Sequence, residues 1–65
     1  MSRAERLLDL MQILRRHRYA ITAQQLASEL GISVRSVYRD IAALQRQGAK
    51  IEGSAGTGYV LRPGS

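Results

Sequence analysis

The sequence has no cysteine, tryptophan or phenylalanine, and only one proline and one histidine among its 65 residues. Without cysteine there is no disulfide, no thiolate metal site and no cysteine nucleophile. The composition fits a reducing compartment. A lone His17 cannot build a metal cluster, and the five carboxylates are scattered along the chain. No nucleophile–base pair or carboxylate dyad is suggested by these residues. The expectation is therefore no catalytic site, no metal and no cofactor. No apolar run approaches the roughly 18–20 residues needed to cross a bilayer, and no signal-peptide pattern opens the sequence. A cytoplasmic protein without a membrane partner is expected. So short a chain buries only about 60% of the surface it exposes on unfolding, which allows one domain with a small core.

Positive charge is abundant. Ten Lys plus Arg stand against five Asp plus Glu, a formal net charge of +5, with a pI near 10.8. Lys50 is the only lysine, so nearly all the cations are guanidiniums. Arginine grips phosphate and guanine edges bidentately, and a domain pI above about 9 is a footprint of nucleic-acid binding. Charge alone would equally attract an acidic lipid surface or an acidic protein.

The apolar pattern divides the chain into three helices and a hairpin. Ser2 and Glu5 have capping-box spacing, and Leu7, Leu10, Met11 and Leu14 then recur at helical period. Leu8 and Ile13 widen this stripe into a spare apolar strip. The helix should fade at Arg16–Arg18, where cations suit its C-terminal dipole. Tyr19, Ala20 and Ile21 read as a short extended strand. Thr22 and Gln25 form a second capping box, opening a brief helix with inner residues Leu26, Ala27 and Leu30. Gly31 stands where a left-handed cap is needed. Ser33 can then cap a third helix, about 33–47, with Val34, Val37, Ile41 and Leu44 inward and Gly48 as its stop. Beyond Gly48 the period changes to two. Lys50-Ile51-Glu52 and Tyr59-Val60-Leu61-Arg62 flank a Gly-rich loop at 53–58, a β-hairpin signal. Ile51, Tyr59 and Leu61 should pack against the helices. The domain is expected to span 1–62, with Pro63-Gly64-Ser65 a linker or truncated end.

Two short helices joined through Leu30-Gly31-Ile32-Ser33 carry the functional argument. Small Ala27, permissive Gly31 and branched Val37 follow the helix-turn-helix pattern, in which the second helix enters the DNA major groove. Asp40 departs from it, occupying a place that is often apolar; it reads as a structural partner for a neighbouring arginine, with base reading the alternative. On a helical wheel Arg35, Ser36, Arg39, Ala43 and Arg46 fall opposite the apolar stripe. Arg35 and Arg39 lie near enough to the helix start to reach base edges. Tyr38 sits at the rim, where semi-burial and a phosphate contact through its hydroxyl are both open. Thr22 and Ser33 cap helices whose N-termini also suit phosphate. Thr57 in the hairpin loop, with Lys50 and Arg62 near it, would form a wing against the sugar–phosphate rail; a plain turn is the other reading. Arg15, Arg16 and Arg18 are open to phosphate or to water alone.

Taken together, Arg6-Leu7-Leu8-Asp9-Leu10-Met11, Thr22-Ala23-Gln24-Gln25-Leu26-Ala27 and Gly31 through Ile41 resemble the DeoR-like winged-helix regulators. Leu44, Gly48, Ile51 and Gly56-Thr57-Gly58-Tyr59-Val60-Leu61 continue the resemblance, with Val37-Tyr38-Arg39-Asp40-Ile41 its most specific part. The branch it most resembles places this domain before a WYL effector-sensing domain, which these residues do not include. The resemblance implies a transcriptional regulator, commonly dimeric, here through regions outside this chain. It also implies DNA contacts at Ser33, Arg35, Ser36, Tyr38 and Arg39.

The expected fold is thus mainly α with a small β-hairpin wing. It is a winged helix-turn-helix of three helices and an antiparallel two- to three-stranded sheet. The expected partner is double-stranded DNA, bound sequence-specifically with the third helix in the major groove and the 49–62 hairpin as wing. The alternative is a winged-helix module for protein–protein contact; its recognition face would be apolar or acidic, and this one is arginine-rich. Single-strand or RNA binding usually needs aromatic stacking platforms, and the only aromatics here are three tyrosines.

Overall fold

Helix α1 (Arg3–Arg16) starts where the Ser2 hydroxyl accepts the Glu5 backbone N–H, satisfying one of the first-turn donors that have no partner within the helix. The computed structural model describes residues 2–62, so the 63–65 segment lies outside the described residues. Helices α2 (Ala23–Leu30) and α3 (Val34–Arg46) follow, then strands β1 (Ile51–Ser54) and β2 (Gly58–Leu61). This is the expected mainly helical winged helix-turn-helix architecture.

The boundaries of α2 and α3 have local chemical causes. Thr22 and Gln25 complete a reciprocal capping box on α2: the Thr22 hydroxyl accepts the Gln25 N–H, and the Gln25 side chain accepts the Thr22 N–H. Gly31 ends α2 at φ 69°, ψ 34°, and both its N–H and that of Ile32 donate to the Ala27 carbonyl. This left-handed closure turns the chain sharply and gives the Ala27 carbonyl two donors. At the end of α3 the N–H of Ala49 reaches back to Leu44 and that of Gly48 to Gln45, again around a glycine of positive φ.

Leu10, Leu14, Leu26 and Val37 are the largest fully buried apolar side chains, and Ile21, Ile41, Leu44, Ile51 and Tyr59 join them in one continuous core. The α1 face differs from its sequence pattern at one position. Ile13 is buried in the core, so Leu8, 58% exposed, is what remains of the expected spare strip.

The hairpin is antiparallel with Ile51 opposite Leu61 and Gly53 opposite Tyr59. Its turn is only Ala55–Thr57, shorter than the expected 53–58 loop, because pairing continues through Ser54 and Gly58. Tyr19–Ile21 does not form a strand. A single bridge joins Ile21 to Tyr59, each N–H donating to the other's carbonyl at 2.8 Å. Thr22 then caps α2 and takes the chain out of the pairing direction. The side-chain amide of Gln45 donates to the Ile51 carbonyl at 2.9 Å, fastening α3 to the hairpin.

Burial raises the Tyr59 phenol above its ordinary value of 10.0, with the neighbouring Tyr38 adding to the effect. Its unfolded form therefore ionises first, and the folded state should lose stability as pH rises past about 10. Tyr59→Phe should flatten that alkaline loss in urea titrations run across pH.

Two glycines allow a sharper test. A Cβ on Gly31 would meet nothing within 4 Å, so only its φ of +69° resists a side chain. A Cβ on Gly53, at φ +124°, would lie 1.9 Å from the Gly58 carbonyl oxygen, a backbone atom that cannot swing aside. Gly31→Ala should cost about 1 kcal/mol of unfolding free energy. Gly53→Ala should cost roughly 3 kcal/mol or more, since strain and collision add. Urea denaturation of the two variants gives the order directly; equal losses would contradict it.

Candidate nucleic-acid interface

The turn between α2 and α3 presents the start of α3 to solvent. Ser33 caps it: its hydroxyl accepts the Ser36 N–H at 3.1 Å and is also 3.1 Å from the Ser36 hydroxyl. Each serine hydroxyl keeps acceptor capacity beyond these bonds, beside backbone N–H groups that have no partner within the helix. Arg35, Arg39 and Arg46 are all exposed along one side of α3, and Ser36 is half-buried at its edge. Ala43, expected on the same exposed side, is instead buried at 5%. It lies on the flank of α3 that carries Asp40, which α1 approaches, so a small side chain is covered there while the longer arginines reach past.

Asp40 is buried at 1% exposure, and both of its oxygens are taken by Arg6 of α1. Arg6 Nε donates to Oδ2 at 2.6 Å and Nη2 to Oδ1 at 3.0 Å, a fork-on-fork pair. The partner expected for Asp40 is thus an arginine, drawn from 34 residues earlier in the chain. The hydrogen bond to Asp40 also holds the Arg6 guanidinium above its ordinary pKa. Arg6 lacked any sequence signal tying it to α3: it reads as one more cation on an amphipathic helix.

The remaining expected residues fall around this centre. Thr22 is half-buried at the α2 N-terminus with its hydroxyl engaged in the capping box. Tyr38 is 36% exposed and meets Tyr59 edge-on, ring centroids 6.4 Å apart at 64°. Semi-burial against the hairpin is therefore realised, with the ring still reaching solvent. Lys50 and Thr57 are exposed on the hairpin, and the Thr57 hydroxyl lies 3.1 Å from that of Ser54, closing the turn. Arg62 lies 3.4 Å from Glu52 across the hairpin. Both are more than half exposed, so this pair is solvated and weak.

Arg3 and Arg6 had not been expected near α3. With Arg39 and Asp40 they line a cleft of about 200 Å³ between the first turns of α1 and the middle of α3. Among the described residues no helix is long and apolar enough to cross a membrane.

A family model described as an HTH domain matches residues 6–60. No curated protein matches the chain.

The Arg6–Asp40 pair makes a testable demand. Arg6→Leu would strand a buried carboxylate, so its thermal midpoint should fall by about 10 °C or more. Replacing both partners, Arg6→Leu with Asp40→Leu, should recover most of that loss because neither charge is left unpaired. Calorimetry on the three proteins decides it; a double variant no better than the single would contradict the pairing.

Proposed function

The chain belongs to the HTH domain family, and on that premise we propose that it binds double-stranded DNA sequence-specifically, as the reading domain of a transcriptional regulator. The observation that carries this reading is the solvent-facing side of α3. It presents arginines and a serine pair directly behind the α2–α3 turn, at the helix end from which base edges are usually reached. In this reading α3 enters the major groove. Arg35 and Ser36 approach base edges, Ser33 and Thr22 offer capped helix ends to phosphate, and Arg39 and Arg46 continue the cationic side. Tyr38 contributes its hydroxyl from the rim. The hairpin serves as a wing, with Lys50, Thr57 and Arg62 toward the sugar–phosphate rail. Arg62 is the weakest of these, since Glu52 already shares its charge.

The resemblance to DeoR-like regulators of the WYL branch supports the regulatory role and a dimer formed through other regions. A protein–protein role is not favoured, because the outward face of α3 is cationic rather than apolar.

Titration of a preferred and a scrambled duplex at matched ionic strength tests the assignment. A bidentate Arg–guanine contact discriminates by about 1–3 kcal/mol, whereas a phosphate contact weakens every sequence alike. Arg35→Ala should therefore lower affinity for the preferred duplex far more than for the scrambled one. Arg62→Ala should weaken both by the same small factor. An unchanged preference in Arg35→Ala would remove the first turn of α3 as the reading element.

A further inference from the structure

We propose that the cleft between α1 and α3 holds one phosphate group of the DNA backbone, gripped by Arg3, Arg6 and Arg39. This rests on the duplex-binding reading above and deepens it, because it brings α1 into the interface and reassigns Arg39 from reading to gripping.

The cleft joins three guanidiniums to a single carboxylate, a surplus of two positive charges in about 200 Å³. The carboxylate does not face an incoming anion. Asp40 is 1% exposed and both its oxygens are engaged by Arg6 Nε and Nη2. A guanidinium has five N–H donors, so three of those on Arg6 remain, and its side chain is 27% exposed. Asp40 thus acts as a clamp that fixes the direction of Arg6 while leaving its outer edge available. Among the described residues neither Arg3 nor Arg39 is within ion-pairing distance of an acid. Three cations converging with one acid repel one another, and an anion with several acceptor oxygens relieves that repulsion. Planar guanidiniums match a phosphate in this way better than they match a lone carbonyl or hydroxyl.

The position also fits a backbone phosphate. Arg39 lies one turn beyond Arg35 on α3 and so borders the reading face, while Arg3 and Arg6 stand beside that helix. A helix seated in a major groove has a phosphate rail along each flank. The cleft lies on the flank where α1 crosses, and inorganic phosphate shares the chemistry that would bind there.

The test compares the wild-type domain with Arg3→Gln, Arg39→Gln and the charge-matched control Arg16→Gln, whose site is about 20 Å further along α1. Each is titrated by fluorescence anisotropy with the preferred and the scrambled duplex at several salt concentrations, with folding checked by circular dichroism. Arg3→Gln and Arg39→Gln should each weaken both duplexes roughly five-fold and make the log–log salt slope shallower by about 0.9. Arg16→Gln should change affinity by about two-fold or less, the general effect of one distant charge. Equal losses from Arg16→Gln and Arg3→Gln would reduce the cleft to bulk electrostatics and overturn the proposal. So would a loss of preference for the selected duplex in Arg39→Gln, which would make it a base reader. A parallel NMR titration with inorganic phosphate follows the arginine Nε–H signals. If phosphate shifts those of Arg3 and Arg39 while Arg3→Gln binds duplex like wild type, the cleft takes a free anion and the backbone assignment fails. Wild-type protein that binds neither duplex would instead defeat the duplex-binding reading itself.

Discussion

One desolvated carboxylate constrains the arrangement of this domain. Asp40 lies on the inner flank of α3 with almost no exposure, in a core otherwise built of aliphatic side chains and one tyrosine. A carboxylate in that position needs a partner, because leaving it desolvated and unpaired destabilises the fold. The pairing is geometrically exacting because it is bidentate: Arg6 must approach Asp40 in plane, which limits how α1 can rotate or slide against α3. Leu10, Leu14, Val37 and Ile41 belong to one buried apolar cluster, but hydrophobic contact is non-directional. The ion pair adds a directional restraint between α1 and α3, beside the apolar stripe of Val37, Ile41 and Leu44 that turns the opposite side of α3 to solvent.

Local chemistry sets the other two connections of α3. At its start, Gly31 and Ser33 compress the chain reversal into a few residues, and the Ser33–Ser36 hydroxyl contact organises the exposed first turn. At its far end, Gln45 holds the Ile51 carbonyl, and Tyr59 returns through the paired bridge to Ile21 just ahead of α2. The hairpin is thus fastened to both members of the helix pair. A hairpin held in this way keeps Lys50 and Thr57 in a fixed relation to Arg35, which the proposed duplex binding would require.

Much of this was legible in the sequence because its causes are local. Capping chemistry at Ser2, Thr22 and Ser33, glycine at 31 and 48, and the change of period after Gly48 each act over a few residues. They placed all five elements to within a residue or two. What was not legible depends on distant packing. Ile13 looked spare and Ala43 looked exposed because a helical wheel shows angles but not which neighbour covers a flank. Ile21 makes a bridge rather than a strand because the Thr22 cap claims the chain immediately afterwards. The hairpin loop looked longer because its glycines read as turn residues, whereas Gly53 and Gly58 remain paired at positive φ. The Asp40 departure from an apolar pattern was visible, and its need for an arginine could be argued. That the arginine would be Arg6, and that Arg3 and Arg39 would gather around the pair, required the three-dimensional crossing of α1 over α3.

DNA reading by the exposed side of α3 is the proposal on which the other roles depend. Selection of bound sequences from a random duplex pool tests it most directly, using the wild-type domain and sequencing after successive rounds. A short motif containing at least one guanine that depends on Arg35 should be enriched, over a background of salt-sensitive binding to every sequence. A pool that remains random after repeated rounds, or that is never retained, would contradict it.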